Sequence, residues 1–378
     1  MAANLHPVNF IILSGILQGM IIAGILLCSK NGNRYANRLM GFFVLSCCFH
    51  FSWTLIIDVN WDVLFKPAFW FPYSYVLAAG PLLFFYTKAL TLPGFRVGRK
   101  ELIHFIPVIL EMLIQVFFIE ESIRHDLLIY QINGFMFFRV LELIVAGISI
   151  FTYGKRCLSL IQDYESWLTE NFSNSKDMTL SWLRRLVGYL RVLWIGWLAF
   201  EILFLFFWQL QIHLIPVYLL LYILLGTIAY SNYAIGLLAW MSAQRWTEAR
   251  PVIAVQKSNT YSKLDEAEIK DCTDMLDRLM TAEKLYLHET LSLRTLADRL
   301  QKDPNLISHI LNQRIHKSFY DYVNAYRVEA VKGKMADPAY DHFKITEIAY
   351  ECGFNSKTTF NRVFKHMTGK SPSEFKRG

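Results

Sequence analysis

The sequence predicts an all-α protein, in which a bundle of about seven transmembrane helices precedes an all-helical C-terminal domain with two helix-turn-helix units. Hydrophobic residues make up 54% of the 378 positions and charged residues only 18%, and the apolar ones crowd the first 240 positions. From residue 262 onward, apolar positions instead recur at spacings of three and four, which indicates amphipathic helices, and strand signals are absent. The length is sufficient for two domains.

Seven apolar runs are long enough to cross a bilayer as helices, which takes about 20 residues. They are Val8–Cys28, Leu39–Ile57, Ala68–Thr87, Leu102–Ile119, Phe135–Tyr153, Tyr189–Leu210 and Leu214–Leu238. The opening MAANLHPVNF lacks the basic region of a cleavable signal, so we expect the first run to stay in the mature protein.

Basic residues concentrate in the connections after the first, third and fifth runs, which places those connections on the cytoplasmic side. The N-terminus is therefore expected outside and the C-terminus inside a bacterial cytoplasmic (inner) membrane, in contact with membrane lipid. We predict a transmembrane domain over residues 1–240 and a polar juxtamembrane linker over 241–262, which contains Pro251. A cytoplasmic helical domain then follows over 263–378.

Four ionisable residues fall inside the apolar runs, where each costs about 2.5–3.5 kcal/mol at mid-helix. They are Glu111, Arg139, Glu142 and Glu201. Arg139 and Glu142 are three residues apart and can pair on one helix. Two interpretations stay open: a structural ion pair with interhelical hydrogen bonds, or an intramembrane polar site that lines a ligand or ion cavity. Because the outer loops are too short to fold a sensor domain, we expect a small, lipidic or partner-borne signal.

The C-terminal stretch contains two short helices joined by a turn. Ile345, Ile348 and Ala349 form the inner face of the first helix, and Gly353 supplies a turn that favours a residue without a Cβ. Asn355 or Ser356 can cap the second helix.

The second helix of this pair has two distinct faces. One apolar stripe has the spacing i, i+3, i+4, i+7, and its members are Phe360, Val363, Phe364 and Met367. A polar stripe with the same spacing lies roughly 200° away, and its members are Thr358, Asn361, Arg362 and Lys365. The first stripe is expected to pack, and the second to offer donors and positive charge to a DNA major groove.

An upstream segment repeats this arrangement. Leu293, Leu296, Ala297 and Leu300 form its first inner face, and Ile307, Ile310 and Leu311 form its second. Asp303 is expected to cap the second helix and Pro304 to start it. Asn305, Ser308, His309 and Asn312 face outward. One helix of about 27 Å, from about Phe319 to Ala336, is predicted between the two units.

The most specific motifs lie in the second unit and the connecting helix. They are IxxIAxxxGF at Ile345–Phe354, Phe360, Phe364–Lys365, GKSP at Gly369–Pro372 and the tyrosine-arginine pair of NAYRVEA. With these motifs, residues from about Asp271 to Gly378 resemble the AraC/XylS-type DNA-binding domain. From Leu291 to Gly378 the sequence has 15 Lys and Arg against 9 Asp and Glu, which fits DNA binding. The resemblance implies a seven-helix domain that binds promoters through two helix-turn-helix units.

By position, the resemblance implies base-reading roles for Asn305 and His309 in the first unit, and for Thr358 and Arg362 in the second. Further DNA contacts, several of them to phosphate, are expected from Ser308, Asn312, Lys357, Asn361, Lys365 and Lys370. The first unit departs from the family pattern, with Leu311–Asn312 where Phe-Lys is common and His316 where glycine is common. The implied partners are double-stranded promoter DNA, RNA polymerase and a second copy of the chain, with activation as the expected outcome.

Two classes of function remain in competition for the whole chain. The first is a membrane regulator of transcription, and the second is a seven-helix transporter with a fused regulatory DNA-binding tail. Pro81, Pro107 and Pro216 could break transporter helices, although no repeat is visible. No catalytic motif indicates an enzyme, no cofactor motif is present, and the six cysteines form no CxxC pair or zinc pattern.

Overall fold

A computed structural model gives the fold of the protein. It describes residues 7–30, 33–58, 75–92, 94–125, 132–173, 179–209 and 266–377. Every regular element in these ranges is a helix, which confirms the all-α class. The chain divides into two compact units: Met1–Gln162 with Leu180–Ile253, and Asp163–Thr179 with Ala254–Gly378. The predicted boundaries at residues 240 and 262 stay predictions.

The N-terminal half contains six α-helices within the described ranges. They are α1 (Pro7–Cys28), α2 (Arg34–Asp58), α3 (Ala79–Thr91), α4 (Ile106–His125), α5 (Phe135–Asn171) and α6 (Ser181–Gln209). Short 3-10 turns at Val76–Ala78 and Glu101–Phe105 lead into α3 and α4. Helix α2 packs against both α1 and α3.

Three helical segments among the described residues are long and apolar enough to cross a membrane. They are Asn9–Cys28, Glu101–His125 and Phe137–Asn171, and Val76–Thr91 is apolar but shorter. The predicted run Leu214–Leu238 and the first part of Ala68–Thr87 lie outside the described residues. The count of seven membrane helices therefore stays a prediction.

Helix α5 is much longer than the sequence predicted. The apolar run was expected to end at Tyr153, whereas the helix continues to Asn171 and has 37 residues. The part after Tyr153 carries charged residues among apolar ones. It continues the helix, but it does not continue the apolar run that the sequence predicted to cross a membrane.

The C-terminal half contains seven α-helices between residues 266 and 377, the number that the resemblance implied. They are α7 (Glu266–Thr281), α8 (Leu293–Leu300), α9 (Pro304–Gln313), α10 (Phe319–Ala336), α11 (Ile345–Glu351), α12 (Lys357–Thr368) and α13 (Pro372–Arg377). The bounds of α10 are those that the sequence predicted.

Two hydrophobic clusters form the core of this half, and α10 contributes to both. Its first part places Phe319, Tyr322 and Val323 in a cluster with α7, α8 and α9. Its second part places Val328 and Val331 in a cluster with α11 and α12. Helix α10 is therefore the shared wall of the two helix-turn-helix units, and its packing fixes each unit on the same helix.

Candidate nucleic-acid interface

Helix α12 is held at both ends by its capping residues. The Ser356 Oγ accepts a hydrogen bond from the Thr359 backbone N–H at 3.3 Å, which confirms Ser356 as the N-cap. Gly353 in the preceding turn has a φ of 89°, and Gly369 after the helix has a φ of 76°. Both angles lie in the left-handed region, which glycine adopts without steric cost.

The two predicted faces of α12 are present in the structure. Phe360, Val363 and Phe364 are buried. The polar candidates are all exposed, and they are Lys357, Thr358, Asn361, Arg362, Lys365 and, beyond the helix, Lys370. An exposed face with two lysines, an arginine and two hydrogen-bonding side chains matches what major-groove recognition requires. The individual base and phosphate roles stay predictions.

Arg362, the predicted guanine reader, is tied to the connecting helix. Its Nη2 donates a hydrogen bond to the Tyr320 hydroxyl at 3.0 Å, and its Cζ lies 5.9 Å from the centroid of the Tyr320 ring. Burial raises the pKa of Tyr320, and the neighbouring Arg362 opposes that rise. The contact restricts the rotamers of an otherwise exposed arginine, so Tyr320 holds the guanidinium beside α12.

The first unit presents its candidates less openly than the second. Asp303 caps α9, because its Oδ1 accepts from the Asn305 N–H at 2.7 Å. Asn305 is exposed, whereas Ser308, His309 and Asn312 are half-buried. The Asn312 Nδ2 also donates to the Ser308 Oγ at 3.4 Å. Of this group, Asn305 at the start of the helix has the most exposed side chain.

The departure at His316 has a backbone explanation. His316 follows α9 and has a φ of 55°, in the left-handed region. Side chains with a Cβ adopt this conformation at a cost of about 1–2 kcal/mol, which glycine avoids. His316 therefore occupies a turn position that glycine adopts at lower cost. This backbone conformation explains why glycine is common at the position in AraC/XylS-type domains.

Arg327 on α10 is fully buried and binds oxygen atoms from several segments. Its Nε donates to the Tyr286 carbonyl at 2.8 Å, and its Nη2 donates to the His288 carbonyl at 2.8 Å. Burial lowers the pKa of Arg327 to about 10. A buried guanidinium is stable only when acceptors surround it, so Arg327 fixes the segment 286–288 against α10.

The structure brings together two of the residues predicted to form an intramembrane polar site. Arg139 and Glu142 form the predicted ion pair on α5, and the Glu142 side chain is buried. His50 on α2 is also buried. Glu111 is also buried and accepts from the Leu77 N–H at 3.4 Å. Glu201 lies in α6, and its side chain is outside the described part of the structure.

The fold and the exposed face of α12 define a helix-turn-helix domain, and comparison of the sequence with known protein families agrees. Residues 296–378 match the family model described as "Helix-turn-helix domain". The AraC-type resemblance is thereby supported for the C-terminal part of the chain. No solved structure matches this chain.

Two curated relatives illustrate the similarity. An uncharacterized HTH-type transcriptional regulator from Staphylococcus aureus (strain COL) is 29% identical over 103 residues, which are 27% of this chain and 13% of the relative. Another, from Escherichia coli (strain K12), is 28% identical over 136 residues, which are 32% of this chain and 47% of the relative. The matches thus span less than half of either relative.

Tyr320 and Ser173 were not singled out from the sequence, and Arg327 was quoted only as the arginine of the NAYRVEA motif, without a structural role. Arg327 had a detectable signal, because it lies four residues from both Val323 and Val331, which are buried on the same face of α10. Tyr320 and Ser173 had none, since their partners lie 42 and 154 residues away.

Proposed function

We propose that this protein is a membrane-bound, sequence-specific DNA-binding transcription regulator that senses a signal through its N-terminal helices and activates promoters. The observation that carries the proposal is the division of α12 into a buried face around Phe360 and Phe364 and an exposed face with Arg362 and Lys365. The matched family model and the names of the relatives support the DNA-binding part.

The long apolar helices support the membrane part of the proposal. Large apolar side chains are more than half exposed along α1, α4 and α5: Phe10, Ile21, Ile109, Leu113, Phe137 and Ile148. Extended exposed apolar surface is rare on soluble proteins and suits lipid. With basic connections inside, the helices would place the DNA-binding domain in the cytoplasm of a bacterium, where promoter DNA, RNA polymerase and a second copy of the chain are accessible.

The buried polar groups support a sensing role for the membrane part. Glu142 on α5 is buried and paired with Arg139, and His50 on α2 is a second buried ionisable residue. Ionisable residues within membrane helices mark functional sites by default. We assign to the Arg139–Glu142 pair the response to a small or lipidic signal, which would act by changing the disposition of α5.

The proposal is tested by mapping the chromosomal sites that the intact protein occupies, followed by footprinting of one such promoter fragment. The Arg362→Ala variant is expected to lose the specific footprint, since a bidentate arginine–guanine contact contributes about 1–3 kcal/mol of discrimination. Arg299→Ala is the matched control, because Arg299 is exposed on α8 and pairs with Glu283. An unchanged footprint for Arg362→Ala would remove this residue as a reader.

A second measurement tests the cellular arrangement. A reporter fused after Gly378 is expected to show cytoplasmic activity in intact cells, and membrane fractionation should retain the full chain in the bilayer. A reporter that is active only outside the cytoplasm would overturn the proposed function, because no promoter is accessible there.

A further inference from the structure

Helix α5 supplies residues to both compact units. Its 37 residues correspond to about 55 Å, whereas the hydrocarbon core of a bilayer is about 30 Å thick. The part up to Gln162 belongs to the first unit, and Asp163–Asn171 belongs to the second, together with the DNA-binding helices. The polar pair Arg139–Glu142 lies on the same helix. One unbroken helix therefore carries both the polar pair and residues of the second compact unit.

The residues that follow α5 bind the start of the first helix-turn-helix unit. Phe172 and Ser292 form an antiparallel backbone bridge. The Ser173 N–H and the Ser173 Oγ both donate to the Leu291 carbonyl, at 3.4 Å and 2.8 Å. Ser173 is fully buried in this position. The segment Phe172–Ser173 therefore lies inside the second compact unit, adjacent to Ser292, the N-cap of α8.

The same serine binds two buried polar side chains of α10. The Asn324 Nδ2 donates to the Ser173 carbonyl at 3.2 Å. The Arg327 Nη2 donates to the Ser173 Oγ at 3.2 Å, and the Arg327 Nη1 donates to the Ser173 carbonyl at 3.5 Å. Ser173 thus supplies two acceptor atoms to a fully buried guanidinium. If the segment left, these donors would lose their partners inside a desolvated site, which is costly.

Arg327 also lies against the turn of the second helix-turn-helix unit. A Cβ placed on Gly353 would lie 2.9 Å from the Arg327 Nε and would overlap the Tyr286 carbonyl oxygen. The guanidinium is therefore enclosed by the segment before the first unit, by Ser173 and by the turn of the second unit.

We propose that Leu291, Asn324 and Arg327 form a docking site for the Phe172–Ser173 segment, and that the docked arrangement is the form that binds DNA. A signal at α5 withdraws or seats this segment, and withdrawal loosens the joint at α10 that keeps the two reading helices in register. The inference rests on the proposed function, because it needs α5 in the membrane and α12 on DNA. It adds the Phe172–Ser173 segment at the end of α5 as the element that couples the signal to DNA binding.

Docking is tested first by disulfide formation in the intact protein in membranes. Opposed residues of an antiparallel pair have Cβ atoms about 4.5–5.5 Å apart, close to what a disulfide requires. The pair Phe172→Cys with Ser292→Cys is expected to cross-link readily on mild oxidation. Phe172→Cys with Asp298→Cys is the control, since Asp298 lies about 9 Å further along the helix direction. Both pairs carry Cys28→Ser, because Cys28 is an exposed native thiol. Equal cross-linking of the two pairs, or none in the first, would overturn the docking site.

The functional effect is tested by DNA binding of the intact protein in lipid nanodiscs, on a promoter fragment from the chromosomal map. Ser173→Lys puts a second cation beside Arg327 and is expected to weaken specific binding at least tenfold. Combined with the first cysteine pair, it should also reduce the cross-link between positions 172 and 292. Thr169→Lys is the matched control, because Thr169 is exposed on the last turns of α5. It is expected to bind within about twofold of the unmodified chain.

The milder Ser173→Ala variant keeps the result interpretable if the lysine variant folds poorly. It removes one acceptor and is expected to weaken binding about threefold. If Ser173→Lys and Ser173→Ala bind as the unmodified chain does, the docking proposal fails while the proposed function stands. If the unmodified intact chain binds no specific site, the proposed function itself fails.

Discussion

The Tyr320 hydroxyl accepts a hydrogen bond from the Nη2 of Arg362 at 3.0 Å, and this contact joins the connecting helix α10 to the exposed face of α12. An exposed arginine without a partner samples many rotamers, and each ordered side chain costs binding free energy. In the proposed function, the contact would pre-organise Arg362 for DNA. We therefore predict that Tyr320 is a positioning residue, which acts on DNA binding through Arg362.

The Tyr320→Phe variant tests this role directly. The ring stays in place, so the packing of α10 is conserved, while the hydrogen bond to Arg362 is lost. We expect specific DNA affinity to fall by about 1 kcal/mol, near fivefold, because a hydrogen bond to a charged group is removed. Fluorescence anisotropy with the mapped promoter fragment measures the change. In an Arg362→Ala background the same substitution should have no further effect, and an additive loss would contradict the positioning role.

Lys365 is exposed on α12 and is predicted to contact phosphate. Lys365→Ala is expected to weaken binding to specific and unrelated DNA by the same factor. It should also lower the slope of log affinity against log salt by about one unit. Titrations at several salt concentrations check both effects. A loss confined to one DNA sequence would instead make Lys365 a base reader.

Gly353 has a φ of 89° and no room for a Cβ next to the Tyr286 carbonyl. Gly353→Ala is therefore expected to destabilise the C-terminal half by about 2–4 kcal/mol, the sum of backbone strain and steric overlap. Hydrogen exchange of residues 266–377 in the intact chain reports the local unfolding free energy. Gly333→Ala is the matched control, because Gly333 is helical with open space around it, and it should stabilise by about 0.5–1 kcal/mol. Equal effects at both glycines would contradict the geometric reason.

The His316→Gly variant is expected to stabilise the first unit by up to about 1 kcal/mol. The left-handed φ of 55° costs a residue with a Cβ more than it costs glycine, and the greater freedom of glycine in the unfolded chain offsets part of the gain. Hydrogen exchange of α9 measures the difference. His316→Ala keeps the backbone strain and should not stabilise the first unit. Stabilisation by alanine would instead show that the imidazole, and not the backbone angle, destabilises the turn.

Local features were predictable because they depend on residues near one another in the chain. The bounds of α10, the caps at Asp303 and Ser356, and the turn at Gly353 follow from periodicity and from the backbone preferences of single residues. The length of α5 was underestimated, because the prediction ended the helix at the last residue of the apolar run. A helix continues beyond such a run wherever its backbone hydrogen bonds can form.

The sequence by itself determined the all-α class, the two-faced helices α9 and α12, and the placement of Arg362 on an exposed face. Only the tertiary structure decided which distant groups meet. Arg327 reaches Ser173, 154 residues earlier in the chain, and Arg362 on α12 reaches Tyr320 on α10. The physical reason is that periodicity tells which side of a helix is buried, whereas the partner on the other side depends on how all the helices pack together.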